Sequence, residues 1–192
     1  MSQYKILALI GEAGTGKDTL MREVLKKNPS LNEIISCTTR PPREEEIDGK
    51  NYHFLSTEDF THKILNDEML EATVFNDWCY GTSLDSLDTN KVNIGVFNPT
   101  GIEALMAYSN IYLVVYYVRA SDKNRLIRQL NREEDPDVEE IIRRYSTDKA
   151  DFFDLQFHYN EIWNNNQQDL EQNVNILAAA SKRLESLLDE NN

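Results

Sequence analysis

One short stretch limits the fold more than any other. An apolar run, Tyr4–Ile10 (YKILALI), leads directly into Gly11-Glu12-Ala13-Gly14-Thr15-Gly16-Lys17. A helix-like segment, Leu20–Lys27, follows until Asn28-Pro29 stops it. The run has the length and composition of a buried parallel strand. G-x-x-x-x-G-K at a strand-to-helix junction is a phosphate cradle. Its glycines let the backbone curl so that successive N–H groups face inward, the next helix adds the positive end of its dipole, and Lys17 adds a mobile charge. Sequence and context together set it apart from an ordinary glycine-rich turn. The residues expected to hold a polyphosphate are Gly11, Glu12, Ala13, Gly14, Thr15, Gly16, Lys17, Asp18 and Thr19.

One position departs from the rule. A Ser or Thr after the lysine would place a hydroxyl on Mg²⁺, but this chain has Asp18, with Thr19 next. A carboxylate beside a polyphosphate is repulsive unless a cation lies between them. Two readings therefore stand side by side. In one Asp18 is a metal-side ligand; in the other it points away and complements the start of the helix dipole.

Beyond the cradle, strand-like and helix-like segments alternate. Strands are expected at Ile34–Thr38, Tyr52–Leu55, Glu71–Phe75, Trp78–Gly81, Val92–Asn98, Ile111–Val118 and Tyr159–Trp163. A polar, proline-punctuated loop fits 40–49, and Asn76-Asp77 forms a turn. Ser56 opens a helix with capping-box spacing running to about Met69, and Ser121 caps another reaching about Asn131. Further helices fit Gly101–Tyr108, Asp137–Ala150 and 168–188. This alternation argues for an α/β fold of three layers around a central parallel sheet. Short strands cluster around one helix between 36 and 89, which reads as an inserted subdomain. The expected organisation is a single domain over 1–192, with a core at about 1–35 and 90–192.

Composition excludes several classes. No apolar run approaches the roughly 20 residues of a membrane-spanning helix, and no cleavable leader is evident at the N-terminus. Two cysteines, Cys37 and Cys79, make neither a disulfide framework nor a zinc site, so a reduced, cytoplasmic protein is expected. With 20 basic against 33 acidic residues the formal charge is −13, which weighs against non-specific nucleic-acid binding. A small anionic ligand is still compatible, because a local arginine cluster can dominate a pocket.

Such a cluster follows the second strand. Ser36-Cys37-Thr38-Thr39-Arg40-Pro41-Pro42-Arg43 continues through Glu46-Ile47-Asp48-Gly49-Lys50-Asn51-Tyr52. Further on come Glu71-Ala72-Thr73-Val74-Phe75 and Tyr80-Gly81-Thr82-Ser83. With the cradle, these segments closely resemble, in order and over most of the chain, the guanylate kinase family. The resemblance implies a P-loop kinase fold with an acceptor-binding subdomain at 36–89 and a lid at about 128–146. It also implies transfer of a phosphoryl group from ATP, with Mg²⁺, to GMP or dGMP, by a monomer or homodimer.

The implied roles agree with the chemistry. Arg40 and Arg43 would clamp the acceptor phosphate with guanidinium forks, and the Tyr52 and Tyr80 hydroxyls would join them. Glu71 would accept the adjacent N1–H and N2 amino donors of guanine, a pair that adenine lacks, while Ser36 and Thr82 would donate to O6. A site that leaves such a carboxylate unpaired rejects the wrong base by roughly 10⁴-fold in favourable cases. Where the family usually carries D-x-D, this chain has Val96 and Asn98. Asn98 keeps an acceptor near the acceptor nucleotide but loses the charge, and Asp18 could restore a carboxylate near Mg²⁺.

Arg125, Arg128 and Arg132, then Arg143-Arg144, resemble the family's lid. Arg132 and Arg144 are expected to act on the transferred group together with Lys17 and Arg40, Arg143 ranks next, and Arg125 is expected to be structural. Phosphoryl transfer needs positioning and spread-out positive charge rather than a general base. His53, His62 and His158 therefore need no catalytic part. Asn164 aligns loosely with a donor-site asparagine. Two other readings compete. Ribose 1,5-bisphosphate phosphokinases also carry G-K-D in the loop, and scaffold domains of this type bind phosphorylated peptides without a working cradle.

Overall fold

In the computed structural model, residues 4–42, 46–75, 77–132 and 134–189 are described. The central sheet has five parallel strands in the order β2-β7-β1-β8-β9. These are β1 (Tyr4–Ile10), β2 (Asn32–Glu33), β7 (Val92–Val96), β8 (Ile111–Arg119) and β9 (Asn160–Trp163). β1 lies at the centre, and Ile6–Ile10 have no exposed surface. Its alternate residues feed two separate cores. Ile6, Ala8 and Ile10 pack with Ile102 and Leu105 of α3 (Pro99–Met106). Leu7 and Leu9 pack with Leu20 and Val24 of α1 (Lys17–Lys27) and with Leu177 and Leu184 of α6 (Gln167–Asp189). A strand apolar on both faces must be covered twice, which makes the architecture three layers.

A second, four-stranded sheet runs β4-β3-β6-β5. It is built from β3 (Cys37–Thr38), β4 (His53–Phe54), β5 (Met69–Phe75) and β6 (Trp78–Ser83), with α2 (Thr57–Leu65) packed on it through Phe60. The single strand expected at Ile34–Thr38 is thus two. β2 pairs with β7 and ends when Ile34 N–H donates to Ile94 O at 2.8 Å, after which the chain crosses to the smaller sheet. Ser56 caps α2 as expected, its Oγ accepting from Asp59 N–H at 3.0 Å. The helix stops at Leu65 rather than near Met69, because Asn66 closes it and Asp67 turns left-handed at φ 56°. α4 (Asp122–Leu130) and α5 (Val138–Asp151) lean across the strand ends that carry the glycine-rich loop. No helix among the described residues is long and apolar enough to cross a membrane.

Candidate active site

The cradle sits where β1 ends and α1 begins, and its glycines are required by close neighbours. Gly14 (φ 81°) lies against the backbone of Arg125, where an added Cβ would come within 2.5 Å of the carbonyl oxygen. Gly16 (φ 90°) faces the Asn164 amide, which a Cβ would meet at 2.6 Å. Both residues thus combine a left-handed backbone with a contact that leaves no room for a side chain. Lys17 Nζ donates to Gly11 O at 2.6 Å and Glu12 O at 3.1 Å. Burial depresses the lysine pKa; the charges of Asp18 and Asp148 oppose that shift, and Arg144 adds to it. Thr15 is buried and turns its hydroxyl inward to Glu12 O at 2.9 Å, leaving the loop's backbone to face a ligand. Asp18 and Thr19 are exposed on the first turn of α1.

Two arginines and one asparagine brace this loop from outside. Arg128 donates to Gly14 O (3.2 Å), Thr15 O (3.3 Å) and Asn164 O (2.8 Å). Asn164, itself buried, donates to Thr15 O at 2.9 Å. Arg125 is 1% exposed and donates to Ala13 O at 3.1 Å, with Glu12 and Asp148 as counter-ions at 3.4 and 3.2 Å. A loop whose N–H groups face a phosphate turns its carbonyls outward, and buried carbonyls need donors. Arg125 therefore matches its structural assignment. Sequence reading missed the part played by Arg128, since helical spacing of arginines does not say which face is inward.

The arginines expected to form a lid differ from one another. Arg132 is exposed just past α4, and its guanidinium makes no hydrogen bond or ion pair among the described residues. Arg143 pairs with Glu140 on the same helix at 2.7 Å. Arg144 Nε is buried without a hydrogen-bond partner among the described residues, and its charge is felt at Lys17. A buried orphan donor beside the cradle fits a phosphate oxygen as its missing partner.

Across from the cradle, the smaller sheet carries the expected acceptor residues. Glu71 on β5 and Thr82 on β6 are cross-strand partners, and Thr82 Oγ1 donates to Glu71 Oε1 at 2.8 Å. This bond orients the carboxylate. Burial raises the Glu71 pKa, and the Thr82 hydrogen bonds pull it back. Arg40 NH2 lies 2.8 Å from both carboxylate oxygens of Glu46, and its guanidinium lies over the Tyr52 and Phe54 rings. Tyr80 meets Tyr52 edge-on, with ring centroids 6.1 Å apart. Ser36 is half-buried beside β3, and Arg43 lies outside the described residues. Asn98 is committed to the fold, its Oδ1 capping α3 at Gly101 N–H (2.7 Å) and its amide donating to Thr73 Oγ1 (3.2 Å). Val96 packs against the core, as a strand valine should. The charge of Asp18 is felt at Tyr52 as well as at Lys17, so the two halves of the site face each other across the start of α1.

A glycine-rich cradle at the end of a central parallel strand, with a smaller sheet carrying Arg40, Tyr52, Tyr80 and Glu71 beside it, defines a P-loop α/β fold. The guanylate kinase family model matches residues 3–183. A guanylate kinase of Trichormus variabilis is 32% identical over 164 residues, covering 81% of this chain and 82% of that one. One from Gloeobacter violaceus is 45% identical over 78 residues, covering 41% and 38%. Several such matches are segmental, spanning 38–51% of the relatives' own length. The crystal structure of a guanylate kinase from Anaplasma phagocytophilum shares the fold, with a TM-score of 0.66 at 22% identity over 94% of this chain and 87% of that one. The chain belongs to the guanylate kinase family.

Proposed function

We propose that this protein transfers the γ-phosphoryl group of ATP to GMP or dGMP, giving ADP and GDP or dGDP. The observation that carries the acceptor assignment is the Glu71–Thr82 pair at 2.8 Å, a half-buried carboxylate oriented by its cross-strand neighbour. A carboxylate has about four lone-pair sites, so one so held keeps acceptor capacity for a donor-rich base edge. Guanine offers two adjacent N–H donors there; adenine and a sugar phosphate do not.

The remaining groups divide the work. The acceptor phosphate binds Arg40, Arg43, Tyr52 and Tyr80, and Arg40 exchanges its Glu46 partner for phosphate oxygens. The amides of 13–18 hold the donor phosphates, and Lys17 leaves the Gly11 and Glu12 carbonyls to follow the moving charge. Arg144 supplies the buried N–H that has no partner, and Arg132 closes from the lid. The acceptor oxygen is already anionic, so alignment of the two phosphates does most of the catalytic work. Magnesium arriving with ATP could be held by Asp18, an exposed carboxylate on the first turn of α1, and would supply positive charge to the polyphosphate. No cluster of three or more His, Cys, Asp or Glu side chains that could hold a metal occurs among the described residues, which suits an ion carried by its nucleotide.

The test is ADP release in a coupled assay with GMP, dGMP, AMP, UMP and ribose 1,5-bisphosphate offered side by side. GMP or dGMP is expected to lead AMP by at least about 10³-fold in kcat/KM. A lead for ribose 1,5-bisphosphate or AMP would overturn the acceptor assignment.

A further inference from the structure

Ala13 N–H belongs to the loop that presents amides to the donor phosphates, yet it already has an acceptor. Asp148, on the lid helix α5, places Oδ2 2.6 Å from it, a short charge-assisted bond between segments 135 residues apart. The same oxygen meets Arg125 NH2 at 3.2 Å, and Asp148's charge is felt at Lys17. Arg144, one helical turn before Asp148, is the buried donor lacking a partner. A loop amide thus holds a side-chain carboxylate whose charge is felt at the loop lysine, in the loop where a nucleotide would put its phosphates.

We propose that Asp148 is a further residue of the donor site: its carboxylate stands in for a terminal phosphate oxygen, latches α5 to the cradle, and is displaced when the donor binds. The inference rests on the ATP reading above. The geometry gives a cost to donor binding, since two anions cannot share one N–H. Arg125 does not depend on Asp148 alone, having Glu12 and Asp122 as further partners, so the latch can open without stranding a buried charge.

Calorimetric titration of the wild type, Asp148→Ala and Asp148→Asn with AMP-PNP and with ADP, in magnesium buffer, tests this. Asp148→Ala is expected to bind AMP-PNP about tenfold more tightly than the wild type, the equivalent of one charge-assisted hydrogen bond no longer displaced. The gain for ADP, which lacks the terminal phosphate, should be smaller. Asn keeps an acceptor without the charge and should fall between; if the alanine variant does not fold, tighter binding by the folded asparagine variant supports the proposal and equal or weaker binding overturns it. Equal or weaker AMP-PNP binding by the folded variants, with a wild type that binds normally, overturns the proposal and leaves the kinase reading standing. No binding by any of the three proteins removes both.

Discussion

Replacing Arg125 with methionine keeps most of the side-chain volume and removes one fully buried charge. The guanidinium donates to Ala13 O at 3.1 Å and lies 3.2 Å from Asp148, 3.4 Å from Glu12 and 3.4 Å from Asp122. Its partners are unequal. The Asp122 side chain is 56% exposed, and that pair counts for little in water. Glu12 and Asp148 are 12% and 18% exposed, so the substitution leaves two poorly solvated carboxylates without this counter-ion and one carbonyl unpaired. Breaking a buried pair this way costs about 3–5 kcal/mol, far more than its net worth against a well-packed apolar replacement. For a chain of 192 residues that corresponds to a fall in melting temperature on the order of 10 °C. Urea denaturation of Arg125→Met, Asp148→Ala and the double variant measures it. Removing Asp148 as well eliminates one stranded carboxylate, so the double variant should be less destabilised than the sum, by about 1–3 kcal/mol. An Arg125→Met protein within 1 kcal/mol of wild type would show that these carboxylates are solvated or protonated at no cost, and the ionic account of the loop's support would fail.

Two further outcomes follow from the site. Arg144→Met should lower kcat by roughly 10²–10³-fold in the coupled assay, as loss of a transition-state donor does, while unfolding stability changes by less than about 1 kcal/mol because Nε breaks no existing bond; near-native turnover would refute the role. Burial raises the Glu71 pKa above its unfolded value, so ionisation there opposes folding, the penalty being absent at low pH and complete once pH exceeds the folded pKa. Glu71→Gln should therefore melt higher than wild type at pH 7, lose that advantage as pH falls below the unfolded value of 4.5, and bind GMP more weakly throughout; a gain that persists in acid would point to packing instead.

What the sequence made legible was whatever a single segment determines. The run from Tyr4 through Lys17 implies a buried strand, a loop and a helix start, and the structure has all three. Ser56 and Ser121 cap their helices as the spacing of residues foretells. Asn98 carries the same kind of signal: Asn followed by Pro99 is a cap with proline at the first helical position, so α3 starts at Pro99, ahead of the expected Gly101. The break within Ile34–Thr38 was not legible, because two-residue strands carry no periodicity and only their partners in different sheets separate them.

The side of the cradle covered by α4 and α5 was hidden for a deeper reason. On α4 the apolar residues Ile127 and Leu130 are 43% and 40% exposed, while Arg125 is buried, so hydrophobic periodicity would turn this helix the wrong way. The orientation is set by the loop. A cradle that aims its N–H groups at phosphate leaves the Ala13, Gly14 and Thr15 carbonyls pointing away, and Arg125, Arg128 and Asn164 supply their donors. Those donors bring charge, and Glu12 and Asp148 balance it. The acid that neutralises the support of the loop is thereby placed within reach of its ligand-facing side. An ionic brace for the cradle and a carboxylate competing for its amide are, in this fold, the same side chain.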